Sequence, residues 1–259
     1  MSDDVQLSVR DGIATVFINR PAQRNALSIR ANALLYDCWE AIDADPGVRA
    51  VVLTSADCGT FCAGMDLKEA ARIKAEQGRD ILELLRDPMF QRLRAVRKPV
   101  IAAMTGHFTA GGMVLALNAD LRVGLAGSRG GITEARLGRG SPWAVPLLWM
   151  LPQPVLMEMV LTGELVAIER LHALGFVNHV EPTPDAVRAR ALALAERIRD
   201  NAPLSVQAGK QSLAAGMALG AEQGMREAMR LHEVVYASED AQEGPRAYAE
   251  KRAPVWRGH

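Results

Sequence analysis

The chain begins with a period of two. Val5, Leu7 and Val9, then Ile13, Thr15 and Phe17, alternate with their neighbours on either side of Asp11-Gly12. This pattern predicts a β-hairpin closed by an Asp-Gly turn. Arg20-Pro21 ends the second strand, and Ser28 is placed to cap a helix whose stripe includes Leu34, Leu35, Cys38 and Ile42 before Asp45-Pro46-Gly47 stops it. Apolar runs at residues 50 to 54, 100 to 104 and 121 to 124 read as buried strands. From Ser141-Pro142, a capped start with proline in the first turn, the period becomes helical and the β part of the chain is expected to end. Val187, Ala191, Leu194 and Ile198 make one helical stripe, and Met225, Met229, His232 and Tyr236 make another. Such stripes predict core or subunit contacts, with His232 a packed histidine.

Two strand-turn-helix junctions stand out. Ala63-Gly64-Met65 leads into a helix that Asp66 is placed to cap, and Ala110-Gly111-Gly112 leads into Met113, Val114, Leu115 and Leu117. A helix N-terminus presents unpaired N–H groups and a partial positive charge, and glycine lets a ligand approach the backbone closely. Alone, each junction is also what any such connection looks like. Facing one another, the two would form an oxyanion hole with two backbone donors. Between them, the charged stretch from Lys68 to Arg97, broken near Pro88, predicts interrupted helix and a mobile lid. Residues 126 to 131 predict a turn before Ile132-Thr133-Glu134.

Composition narrows the function classes. With 259 residues and 49% hydrophobic content, the chain can bury one substantial core, or one core with a helical appendage. Its 30 basic residues balance 30 acidic ones, so no global field draws it to nucleic acid or an anionic membrane, and any anionic ligand must be held locally. The acidic start MSDDVQ is unlike a secretory or transit signal, so the mature chain is expected to start there and to be cytoplasmic. Prolines at 146, 152 and 154 with Gln153 and Glu158 interrupt the most apolar stretch, ruling out a membrane span there. Cys38, Cys58 and Cys62 read as free thiols; Cys62, beside the first junction, is either a packed residue or a nucleophile. No His/Cys cluster has metal-ligand spacing, and no Walker or Gly-x-Gly-x-x-Gly pattern follows a strand.

Taken together, FCAGMDLKE and KPVIAAMTGHFTAGGM, in this order and separation, resemble the crotonase superfamily, which includes the enoyl-CoA hydratases and isomerases. The likeness also takes in INRPAQRNAL (Ile18 to Leu27), ITEARLG (Ile132 to Gly138), MEMVLTGE (Met157 to Glu164) and YAEKRAP (Tyr248 to Pro254). It implies an α/β fold: a crotonase-type spiral of repeated ββα units over residues 1–195, then a helical C-terminal oligomerisation region over 196–259 that builds homotrimers or hexamers.

The resemblance implies that the N–H groups of Met65 and Gly111 hold the oxygen of an acyl-CoA thioester and stabilise its enolate. It assigns coenzyme A binding to Arg24, Ala63, Asp66, Leu67 and Lys68, with Tyr248 in the C-terminal block and Lys251 donated by a neighbouring subunit. Lys and Arg suit its phosphates. The implied ligand is the substrate thioester, with no metal and no cofactor beyond its coenzyme A moiety. Hydratases of the family use two glutamates, whose positions here are Val114 and Glu134. One remaining carboxylate is the isomerase pattern, in which a single base removes a proton and returns it two carbons away. Ala110 replaces the usual first glycine, and GRGSPWAVP replaces a Gly-rich segment, so Trp143 and its prolines reshape the acyl pocket.

The leading expectation is a double-bond isomerase with Glu134 as base. A specialised hydratase, with His107 as a candidate donor, stands beside it. So do thioester hydrolysis, decarboxylation and retro-aldol cleavage, because fold does not settle chemistry. A non-catalytic acyl-CoA binder is the alternative from another class.

Overall fold

A computed structural model describes residues 4–259. Half of the acidic start, residues 1–3, lies outside the described residues. The predicted hairpin is present: β1 (Val5–Arg10) pairs antiparallel with β2 (Ile13–Ile18), and Asp11 and Gly12 both take positive φ, 50° and 75°. Its two faces differ from the expectation. A two-residue turn sets Val9 against Ala14, Leu7 against Val16 and Val5 against Ile18, so the alternating sets named from the sequence lie on opposite faces. Both sides of β2 are covered, which hides its alternation, whereas Leu7 and Val9 on the edge strand stay exposed.

Helix α1 (Ile29–Ala44) starts where expected, with Ser28 Oγ accepting from the Ala31 N–H. From there the chain repeats one unit. β3 (Ala50–Ser55), β4 (Thr60–Cys62) and α2 (Leu67–Gln77) form the first, and Asp66 caps α2 by accepting from the Glu69 N–H. The interrupted segment follows: α2 ends at Gly78, a short 3-10 turn spans Ile81–Glu83, Pro88 lies in a loop, and α3 (Gln91–Ala95) is brief. The second unit is β5 (Val100–Met104), β6 (His107–Thr109) and α4 (Gly111–Asn118). The third is β7 (Leu121–Leu125), β8 (Arg129–Gly131) and a 3-10 turn, Glu134–Leu137, in the helix position. The end of the predicted 126–131 turn is thus strand β8.

The first strand of each unit enters a six-stranded sheet of order β1-β2-β3-β5-β7-β10, and the second enters a four-stranded sheet of order β4-β6-β8-β9. The two sheets enclose the main core. The expectation that β structure ends near Ser141 is overturned: after α5 (Gln153–Thr162), β9 (Val166–Ala167) extends the small sheet, and after α6 (Ile168–Ala173), β10 (His179–Glu181) pairs parallel with β7. Both strands are too short for a two-residue period to register, and pairing with an existing sheet edge is what orders them.

Helix α7 (Pro184–Arg199) lays Val187, Ala191 and Ala195 on the outer face of the large sheet, against Ile13, Ala50, Val52, Ile101 and Val123. It therefore runs across residue 195, the expected division of the chain. Helices α8 (Pro203–Leu219), α9 (Ala221–Ala237) and α10 (Glu239–Glu250) follow. The second stripe differs from the first: Met225, Met229 and Tyr236 are 64%, 68% and 75% exposed, while the His232 ring is half-buried and its Nδ1 lies 2.8 Å from the Ala228 carbonyl.

Candidate active site

The two junctions meet. A methyl group built on Gly64 would lie 2.9 Å from the Gly111 nitrogen, and one built on Gly111 would lie 3.7 Å from the Met65 nitrogen. Gly64, at φ 90°, bends the chain so that its carbonyl accepts from the Leu27 N–H while the Asp66 N–H donates to the Leu27 carbonyl. The intervening Met65 N–H is left without an acceptor among the described residues, as is that of Gly111, the first residue of α4. Only one of these donors belongs to a helix terminus, because Met65 precedes the cap Asp66 and sits in a bridge to Leu27. Ala110 takes φ 50° and ψ −118°, a conformation suited to glycine.

Both donors line a cavity of about 290 Å³. Its walls are mostly apolar and include Leu27, Leu67, Leu82, Leu85, Met89, Phe90, Val114, Leu137 and Trp143. Two titratable side chains line it, Glu134 and Arg139. Arg139 is held in a two-pronged pair with Asp80, at 2.5 and 2.8 Å, which pulls the Asp80 carboxyl down to about 2. Glu134 has no charged partner among the described residues. It is 8% exposed, its Oε1 accepts from Trp143 Nε1 at 3.1 Å, and its buried Oε2 has no partner among the described residues. Burial raises its pKa, opposed by backbone N–H groups and the Trp143 N–H. A carboxylate kept from water beside two free N–H donors is suited to moving a proton next to a polarised carbonyl.

The other expected site residues divide. Ala63 and Leu67 line the cavity. Asp66 is buried, capping α2 and pairing with Arg20 at 2.9 Å, a contact that the sequence reading missed. Arg24 is exposed, its carbonyl accepting from the Ala63 N–H, and Lys68 is exposed on the first turn of α2. Tyr248 and Lys251, at the end of α10, do not line the cavity of their own chain. His107 is exposed and outside it, with Nδ1 accepting from the Arg129 N–H. Cys62 is fully buried and its thiol is pushed up to about 12, which identifies it as a packed residue rather than a nucleophile. Among the described residues no group of three or more His, Cys, Asp or Glu could hold a metal, and no helix is long and apolar enough to cross a membrane.

The sequence model of the family described as enoyl-CoA hydratase/isomerase matches residues 8–259. The chain belongs to this family, and so to the crotonase superfamily. It is 35% identical to the (E)-benzylidenesuccinyl-CoA hydratase of Thauera aromatica over 98% of this chain and 99% of that one. It is 33% identical to the carnitinyl-CoA dehydratase of Proteus mirabilis, with both chains fully covered. Among solved structures, an enoyl-CoA hydratase of Mycobacterium tuberculosis superposes with a TM-score of 0.87 at 36% identity, covering all of both chains. One from Bacillus anthracis gives 0.92 at 28% identity, covering 99% of this chain and all of that one. The α/β crotonase fold with its C-terminal helices is therefore the fold of this chain.

Proposed function

We propose that this chain binds an acyl-CoA thioester with its carbonyl oxygen between the Met65 and Gly111 N–H groups, forms the enolate with Glu134 as its sole base, and shifts a carbon–carbon double bond. The observation that carries this reading is the cavity's one carboxylate without a counter-charge: Glu134 lines it, Oε2 has no hydrogen-bond partner among the described residues, and Val114 stands where a second carboxylate would be. The apolar walls fit an aliphatic or aryl acyl group. Coenzyme A lies along Ala63, Asp66, Leu67 and Lys68 towards Arg24, with no cofactor besides it. Hydration is the second reading, favoured by relatives named as a hydratase and a dehydratase. Incubation with 2-enoyl-, 3-enoyl- and aryl-CoA thioesters distinguishes the two: hydration adds the mass of water, and isomerisation leaves the mass unchanged while moving the absorbance.

The exposed Met225, Met229 and Tyr236 on α9 support self-association of the C-terminal helices into a trimer or a multiple of it. That arrangement would bring Tyr248 and Lys251 to a neighbour's coenzyme A. A monodisperse monomer in light scattering at micromolar concentration would refute it.

A further inference from the structure

We infer that Trp143 is the positioning residue of this site: its indole N–H holds Oε1 of Glu134 and thereby fixes the orientation of the carboxyl that takes and returns the proton. The inference rests on the reading of Glu134 as base, and it adds what orients that base.

Glu134 begins a 3-10 turn, and Trp143 is the second residue of the next one, Pro142–Trp149, with Gly138 at φ 64° turning the chain between them. That reversal brings Nε1 to 3.1 Å from Oε1. Indole nitrogen is a donor only, so it can orient a carboxylate but cannot act as a second acid or base. The other oxygen is buried with no partner among the described residues, so the indole N–H is the side-chain donor that holds this carboxyl. Val114 contributes an apolar surface to the same cavity and offers Oε2 no competing donor.

The geometry serves both halves of a proton transfer. A C–H bond beside the thioester breaks, its electron pair passes into the enolate, and the proton bonds to the Glu134 carboxylate. The O–H bond then breaks, and a C–H bond forms at the carbon two positions along. Throughout, Oε1 remains an acceptor for the indole N–H, so the carboxyl need not rotate between steps.

The charges around Glu134 leave this role to Trp143. On its own turn, Arg136 pairs with Glu164 at 2.7 Å. Arg139 pairs with Asp80 across the cavity. On α5, which packs against the turn, Glu158 faces Arg170 at 3.8 Å. Helix α4 and the Pro142–Trp149 turn carry no ionisable side chain.

The test compares Trp143→Phe, which keeps an aromatic ring without the N–H, with Trp143→His, which restores a ring donor, using the CoA thioester turned over fastest by the unaltered protein. Trp143→Phe is expected to lower kcat by about ten- to a hundredfold, the range for a hydrogen bond to a charged group, with KM changed by less than about threefold. Its acid limb should move to higher pH, because the lost donor favoured the ionised carboxyl. Trp143→His should recover part of both effects. A Trp143→Phe protein with normal kcat and an unmoved acid limb would overturn the positioning role while leaving the base intact. Full turnover in folded Glu134→Gln would instead overturn the base assignment beneath it.

Discussion

The two walls of the cavity act through different parts of the chain. On the α4 wall the useful atom is a backbone N–H, that of Gly111, and the side chains around it are apolar, Val114 among them. On the opposite wall the useful atoms belong to side chains, the Glu134 carboxyl and the Trp143 indole. The backbone wall needs glycine and strained φ angles to bring two junctions together. The side-chain wall instead needs burial without a counter-charge. In the proposed reaction one wall would hold developing charge at oxygen, and the other would move a proton at carbon.

The largest expected effect comes from removing the side-chain wall's function. Glu134→Gln retains shape and Oε1's partner but cannot accept a proton, so turnover should fall on the order of a hundred to ten thousandfold, with binding of a CoA thioester preserved by calorimetry. Stability gives an independent reading. Burial raises the folded-state pKa of Glu134 above its unfolded value, so its charge costs stability above the folded pKa, and that cost fades as pH falls through it. Glu134→Gln should therefore melt at higher temperature than the unaltered protein near neutral pH and lose that advantage on acidification.

A smaller effect follows from giving the backbone wall a side-chain function. Val114→Glu would put a second carboxylate in the same cavity, and product mass should show hydratase activity rising by roughly tenfold if one carboxylate limits hydration. Because Val114 is 3% exposed, the new group is expected to cost about 2 to 4 kcal/mol or to remain protonated, which a thermal melt would register. No gain in hydration in the folded variant would show that the difference between the walls does not decide the reaction.

The smallest effect tests the strain. Ala110→Gly suits φ 50°, ψ −118° without a Cβ, and should stabilise by about 1 kcal/mol after the entropy lost from the unfolded chain, raising Tm by roughly 2 to 4 °C. An unchanged or lower Tm would mean that the Ala110 methyl packs well enough to offset its backbone strain.

Local chemistry was legible where one signal acts over a few residues. Asp11-Gly12 predicted the hairpin turn, Ser28 and Asp66 predicted their caps, and the Val187 to Ile198 stripe predicted a buried helix face. The motifs around Gly64, Gly111 and Glu134 predicted the pieces that the cavity collects, because glycine placement and a lone carboxylate leave a mark in sequence. Tertiary structure decided what depends on distant partners. Strands β9 and β10 exist because sheet edges wait for them, and the buried face of β2 follows from cover on both sides. The Asp80–Arg139 pair joins residues 59 apart, and the orphaned Oε2 of Glu134 follows from which neighbours the fold withholds. A sequence records which groups are available, but their burial and their lack of a partner arise only when the whole chain packs around them.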